Sequence, residues 1–298
     1  MQLDAILEVA IGLVFVWLVL SIGVMQVQEW IENITSWRSK YLEEAVRGML
    51  EQDHQMCSDF FQHPAIQSLY RKTGMNKMPS NIPAERFSKV LLDVFVNSGK
   101  DPSALPADEW SIRKMQENLK AMQQQSPALA QKFGYVFKGI GDKSAKVDEK
   151  LSEWHKEIEQ WFNDTMSQVS KEYKKFAQFL AFLIGIVIAS ALNLDSIHIA
   201  QQLWQEPTAR AVLVAQAQAQ VNTGQAPGDF QESVNSLNLP VGWNAETTPS
   251  EFGGWIFKVF GFLLSGAAAA QGAPFWFDIL RNLTGLRKSE TTQKSKTE

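Results

Sequence analysis

Six side chains able to hold a metal or move a proton fall within thirteen positions of this chain: Glu51, Asp53, His54, Cys57, Asp59 and His63. Zinc takes ligands at set intervals, and Glu51, His54 and Cys57 could share one helix face. The run reproduces neither a zinc nor a di-metal spacing. Its residues therefore read as solvated or packed helix positions, with His63-Pro64 shaping a turn, and no metal is expected. The single cysteine, Cys57, excludes an internal disulfide and a Cys-rich metal site. No Gly-rich phosphate loop follows a strand signal and no nucleophile elbow occurs, so nucleotide hydrolysis and acyl transfer have no starting point. The expectation is of no catalytic residue, no cofactor-binding residue and no enzyme.

A second polar set lies within or beside apolar runs: Glu8, Asn193, Asp195, Lys258, Gln271 and Asp278. Asp4 and Glu8 stand one turn apart at the start of the first run, where they suit headgroups or a helix amino terminus. Asn193 and Asp195 end the second run and Lys258 begins the third. An ion pair is geometrically open there, against the simpler reading that Lys258 snorkels to the interface. Asp278 and Arg281, three apart, can pair on one helix. His198 and Trp204 could suggest a haem or quinone contact, but one histidine without a partner reads as a surface helix residue.

The elements that would position these groups are set by Phe176–Leu194, nineteen uncharged residues preceded by Lys171, Lys174 and Lys175. As a helix this stretch reaches about 28 Å, close to the thickness of a bilayer's hydrocarbon core. Residues 28–175 carry 21 Lys/Arg and 21 Asp/Glu, whereas residues 195–255 carry one, Arg210, against six Asp/Glu. The positive-inside bias thus places 28–175 in the cytoplasm and 196–254 outside. The first apolar block, Ala5 to Val27, has no Lys or Arg before Arg38 and no small-residue cleavage site, so it reads as an uncleaved anchor with its amino terminus outside. Periodic apolar residues from Trp30 to Met49 continue it as one long helix.

In the third span, Trp255 to Leu280, Gly261, Ser265, Ala269 and Ala273 recur every four residues, the small-residue seam that lets helices approach closely in lipid. The stripe Leu151, Trp154, Ile158, Phe162 and Met166 runs into the second span with no breaker. The fold expected is an all-α membrane protein: span 1–27, helical cytoplasmic domain 28–175, span 176–195, small and partly irregular extracytoplasmic segment 196–254, span 255–280 and a largely disordered cytoplasmic tail 281–298. Within that tail residues 289–298 lack any apolar side chain.

The blocks EWIE, HPAIQSLYRK, PSNIPAERF, WFNDTMSQVSKEYKK, NLDSIHIAQQLW, LPVGW and GAPFWFDIL, in this order over nearly the whole chain, resemble a family of uncharacterised bacterial membrane proteins. The resemblance implies a multi-pass protein of the bacterial inner membrane with this segment order, and brings no activity, cofactor or catalytic residue. The function expected is that of a structural, scaffold-type interaction protein. Its partners would be the lipid bilayer and a protein or a second copy of the chain, met through the third span and the cytoplasmic helices. The alternative is a subunit of an oligomeric channel or transport complex. A net charge of −4 offers no basic surface for nucleic acid.

Overall fold

The computed structural model describes residues 2–70, 79, 81–97, 109–136, 147–224, 230–231, 234, 242–244 and 247–294. Among these, every regular element is a helix. The order is α1 (Gln2–Thr35), α2 (Trp37–Met49), α3 (His54–Gln62), α4 (Pro64–Gln67), α5 (Ala84–Asn97) and α6 (Glu109–Gln125). Then follow α7 (Pro127–Val136), α8 (Val147–Leu192), α9 (Ser196–Gln205), α10 (Pro207–Asn222), α11 (Phe252–Ala269) and α12 (Ala273–Lys294). Three of them, α1, α8 and α11, are long and apolar enough to cross a membrane, so the chain is an all-α membrane protein. It divides into two compact units, Met1–Asn33 with Lys175–Glu298, and Ile34–Lys174.

In the first unit α1 is the interior helix. Of its most apolar stretch 61% is buried, against 17% in α8 and 39% in α11. Contacts fix the path of the chain around it. Gln28 Nε2 donates to Ala177 O (2.7 Å), Trp17 Nε1 donates to Ser196 Oγ (2.9 Å), and Gly12 faces Leu203. The segment α8–α9 therefore descends α1 from its carboxy-terminal half to its start. From Gln28 to Trp17 is about 16 Å of helix, so α8 ends opposite the middle of α1. Helix α10 then returns along α1, with Arg210 at Glu8, Leu213 at Gly12 and, beyond its end, Phe230 at Gly23.

Residues 196–222, expected as part of an outer segment, thus pack along the first apolar helix. The Ala/Gln/Val sequence of α10 shows no strong apolar stripe, yet Leu213, Val214 and Ala217 are buried. Much of the rest of the expected irregular segment 226–254 falls outside the described residues. Exposed apolar side chains remain on the surface of two helices, among them Phe179, Leu183 and Val187 on α8 and Phe257, Phe260 and Leu264 on α11.

The second unit is a helical bundle with an aromatic centre. Phe87 stacks on Phe162 (centroids 4.4 Å apart) and meets Phe60 (5.2 Å), while Ile158 and Trp154 are buried one and two turns earlier on α8. The apolar stripe expected on that helix is the core face, and α8 is continuous over 46 residues.

Three helix boundaries differ from expectation. The helix expected from the first span to Met49 breaks at Ser36, which adopts the left-handed region (φ 49°) without glycine or proline; its carbonyl accepts the Ser39 and Lys40 N–H groups that restart the helix. The third span is two helices, because Gly272 (φ +87°) and Pro274 stop α11 at Ala269 and open α12. The Trp276 indole closes that break by donating to Ala268 O (2.6 Å). Finally, α12 extends to Lys294, so 289–294, expected as disordered, continue a helix already started by the apolar Ala273–Leu283 turn pattern. Residues 295–298 lie outside the described residues.

Candidate functional site

Where α8 stops inside the first unit, four or more carbonyls lose their helical donors, and an apolar interior offers no water to replace them. Asn193 ends the helix in the left-handed conformation (φ 56°). Three of the carbonyls, those of Ala189, Ser190 and Leu192, are then met by specific groups. Leu194 N donates back to Ala189 O (2.7 Å), Gly242 N to Leu192 O (2.9 Å) and Trp243 Nε1 to Ser190 O (2.9 Å). The Asn193 amide returns the favour to the same strand of chain, Nδ2 donating to Gly242 O (2.9 Å). Trp243 also packs on α11, stacked on Trp255 (6.0 Å) and edge-on to Phe262 (5.9 Å).

A relay of hydroxyls completes the closure. Trp17 Nε1 donates to Ser196 Oγ, which lies 2.7 Å from Ser265 Oγ, and Ser265 Oγ lies 2.7 Å from Leu194 O. With the indole as the fixed donor, one proton order satisfies the chain: Trp17 to Ser196, Ser196 to Ser265, Ser265 to Leu194 O. Three segments, α1, α9 and α11, are tied at one point. Both serines are 2% exposed.

The two ionisable groups expected at this level are both buried, each 5% exposed. Asp195 caps α9, Oδ1 accepting from Ile197 N (2.9 Å) and His198 N (3.2 Å). It rests against α11 where Gly261 leaves room; a Cβ there would collide with the carboxylate. Lys258 neither snorkels nor pairs with Asp195. Its Nζ donates to Thr247 O (2.8 Å) and lies over the rings of Trp243 (4.9 Å) and Phe262 (5.6 Å). Ring quadrupoles and a carbonyl dipole replace the water such a cation would otherwise need.

The seam of α11 is consumed by the same packing. Gly261, Ser265, Gly266 and Ala269 are buried. Gly185 of α8 is so close that an added Cβ would stand 3.0 Å from Gly266 Cα and 3.2 Å from Ala269 Cβ. The small residues thus serve contact within the chain.

The remaining polar candidates disperse. Glu8 is paired with Arg210 (Nε to Oε2 3.0 Å), which also donates to Leu203 O (3.1 Å). Arg210 is the only basic residue between Asp195 and Trp255, and this partnership has no sequence signature because 202 positions separate the two. Asp278 pairs with Arg281 (3.1 Å) on an exposed face. Gln271 lies exposed in the α11–α12 turn, and His198 and Trp204 are exposed on α9.

In the second unit the run from Glu51 to His63 is taken apart. Among the described residues no three His, Cys, Asp or Glu side chains converge as a metal site would need. Glu51 pairs with Lys132, and Asp59 holds Gln55. Asp53 caps α3, accepting from Met56 N (2.9 Å), and accepts from Ser126 Oγ (2.8 Å). Burial would raise its carboxyl, but the hydrogen bonds from Met56 N, Ser126 and Gln55 N, with the nearby His54, together outweigh it and hold it below the usual carboxylate value. His54 is exposed. Cys57 is buried, and burial pushes its thiol up, against a smaller opposing pull from Arg47. His63 has both nitrogens engaged. Nδ1 accepts from Ala65 N (3.2 Å), so Nε2 carries the proton that meets Asp93 Oδ2 (2.9 Å).

One further cluster imitates a hydrolase. Ser88 Oγ lies 3.1 Å from His155 Nδ1 and 3.2 Å from Glu159 Oε1. The carboxylate faces the serine and not the imidazole, and Ser88 is 0% exposed, so no substrate carbonyl could reach it.

No family model, curated protein or solved structure matches this chain.

Proposed function

We propose that this chain is a membrane-anchored structural protein of the bacterial inner membrane, a scaffold with its amino terminus outside and its second unit in the cytoplasm. The observation that carries the reading is the use to which the intramembrane polar groups are put. Asp195, Ser196, Lys258 and Ser265 are each 5% exposed or less, and each is spent on closing a helix break or crossing. Groups that hold helices together in this way supply architecture, not a reaction. The location rests on the resemblance of the sequence blocks and on the scarcity of basic residues between 195 and 255. Because the small-residue seam is occupied within the chain, partner contacts fall to the cytoplasmic helices. Purification of native complexes followed by mass spectrometry tests this: a stoichiometric protein partner, lost when Ile34–Lys174 is exchanged for an unrelated helical domain, is the expected result.

A second reading, a subunit of an oligomeric channel or transport complex, draws on one observation. Asn193 Oδ1 is buried without a hydrogen-bond partner, next to Asp195 and at a helix break opposite the middle of α1. Broken helices with buried polar groups are the usual material of ion pathways. Ion flux into proteoliposomes that is lost in Asp195→Asn, at unchanged melting temperature, would favour it over the scaffold.

A further inference from the structure

A cavity of about 470 Å³ opens in the second unit between the start of α2, the segment 81–84 and the last cytoplasmic turns of α8. Its volume lies in the range of sites that hold small ligands. The floor is apolar, with Leu42, Ile82, Phe162 and Met166 among its walls. Tyr41 and Tyr173, edge to face at 5.6 Å, both line it, and Arg38 stands exposed at its lip.

Position along the chain narrows the ligand. Tyr173 precedes Phe176, the first residue of the second span, by three positions in one unbroken helix, about 4.5 Å of rise. Arg38 follows the end of α1 at Thr35 by three positions. The α8 side of the mouth therefore adjoins a segment that enters lipid. Lys174, exposed, directly follows the lining residue Tyr173 on α8. A guanidinium at the lip of an apolar pocket, itself lined by a helix that runs on into a span, matches an anion attached to a hydrocarbon chain, and a guanidinium can hold phosphate oxygens in a bidentate fork.

We propose that this cavity is a binding site for one anionic phospholipid, its phosphate at Arg38 and part of an acyl chain on the Leu42–Phe162–Met166 floor. The proposal is independent of the scaffold reading and needs only the membrane anchorage.

The test uses the full-length chain in mild detergent, titrated with phosphatidylglycerol and with phosphatidylcholine of identical acyl chains, and read by native mass spectrometry. Wild-type protein is expected to show one saturable phosphatidylglycerol adduct, preferred about tenfold over phosphatidylcholine. Arg38→Gln, at an exposed position that folding does not require, should remove the preference while leaving weak binding of both lipids. Met166→Trp, which fills the floor, should abolish the saturable adduct for both. Equal affinity for the two lipids in the wild type, or a preference unchanged in Arg38→Gln, overturns the proposal whatever Met166→Trp does. Melting temperatures of the variants separate loss of the site from loss of the fold.

Discussion

Replacing Gly266 with alanine measures how tightly α8 and α11 are joined. The added Cβ would stand 2.6 Å from Ile186 Cγ1, 3.0 Å from Phe182 O and 3.1 Å from Ile186 N. A side-chain carbon can swing away, but the other two atoms belong to the α8 backbone, so relief requires the helices to separate by several tenths of an ångström. Overpacking of this kind costs about 1–3 kcal/mol, while alanine's better helix propensity returns up to about 1 kcal/mol. The net expected is a loss of roughly 1–2 kcal/mol. At about 2–4 °C per kcal/mol for a unit of this size, the melting temperature should fall by roughly 2–8 °C. Gly253, in the same helix with nothing within 4 Å of its would-be Cβ, supplies the control; Gly253→Ala should melt at or slightly above wild type. Thermal unfolding in one detergent, followed by tryptophan fluorescence, gives both numbers. If Gly266→Ala and Gly253→Ala melt together with wild type, the close approach of α8 and α11 is wrong.

Four other outcomes follow from the contacts above. Asp53 is held below its unfolded value, so its contribution is present above about pH 4 and is lost as pH falls through the folded value; Asp53→Asn, which keeps the cap to Met56 N but loses the acceptor for Ser126 Oγ, should flatten the acid limb of a stability-against-pH curve below pH 4 and leave neutral pH less stable by ~1 kcal/mol. Glu8→Gln and Arg210→Ala should each cost about 1–3 kcal/mol in detergent melting, and the double variant little more than either alone, since the two act as one pair. Cys57, buried with its thiol pushed up, should react with maleimide only at the rate of unfolding; rapid native labelling would contradict its burial. With Cys57 replaced, a cysteine at Thr248 should label from outside intact cells and one at Gln124 only after permeabilisation, and the reverse pattern would invert the proposed topology.

The parts of the fold legible in the sequence were those where one local signal decides. Unbroken apolar length marked α1 and α8, the Trp154–Ile158–Phe162 spacing marked a core face, and His63-Pro64 marked the turn at which the structure opens α4. What escaped depended on distant partners. Ser36 breaks a helix with a residue type that carries no such signal, and the polar closure at Asn193 joins Trp17, Ser196, Gly242 and Ser265 across as many as 179 positions. Asp195 was legible as a polar residue at a helix boundary; that it caps a second helix continuing along α1 was not. Lys258 misled because the usual fate of a lysine near lipid is exposure, and two aromatic rings and a carbonyl, one of them eleven positions away, decide otherwise.

The interior place of α1 also orders events during synthesis. Of the helices described it is made before the others, yet the side chains that bury it, Leu203, Leu213 and Trp276, are made about 190 to 260 residues later, Trp276 arriving 4.7 Å from Trp17. At 5–20 residues per second that interval is on the order of 10–50 s. Until α8 arrives, about 150 residues after the Gln28 it meets, α1 has no neighbour from this chain, and for the whole interval it lacks Leu203, Leu213 and Trp276; the Ser21 hydroxyl turns onto the Trp17 carbonyl of its own helix (2.7 Å). Its unusually apolar sequence is what lets the first-made helix wait for the last.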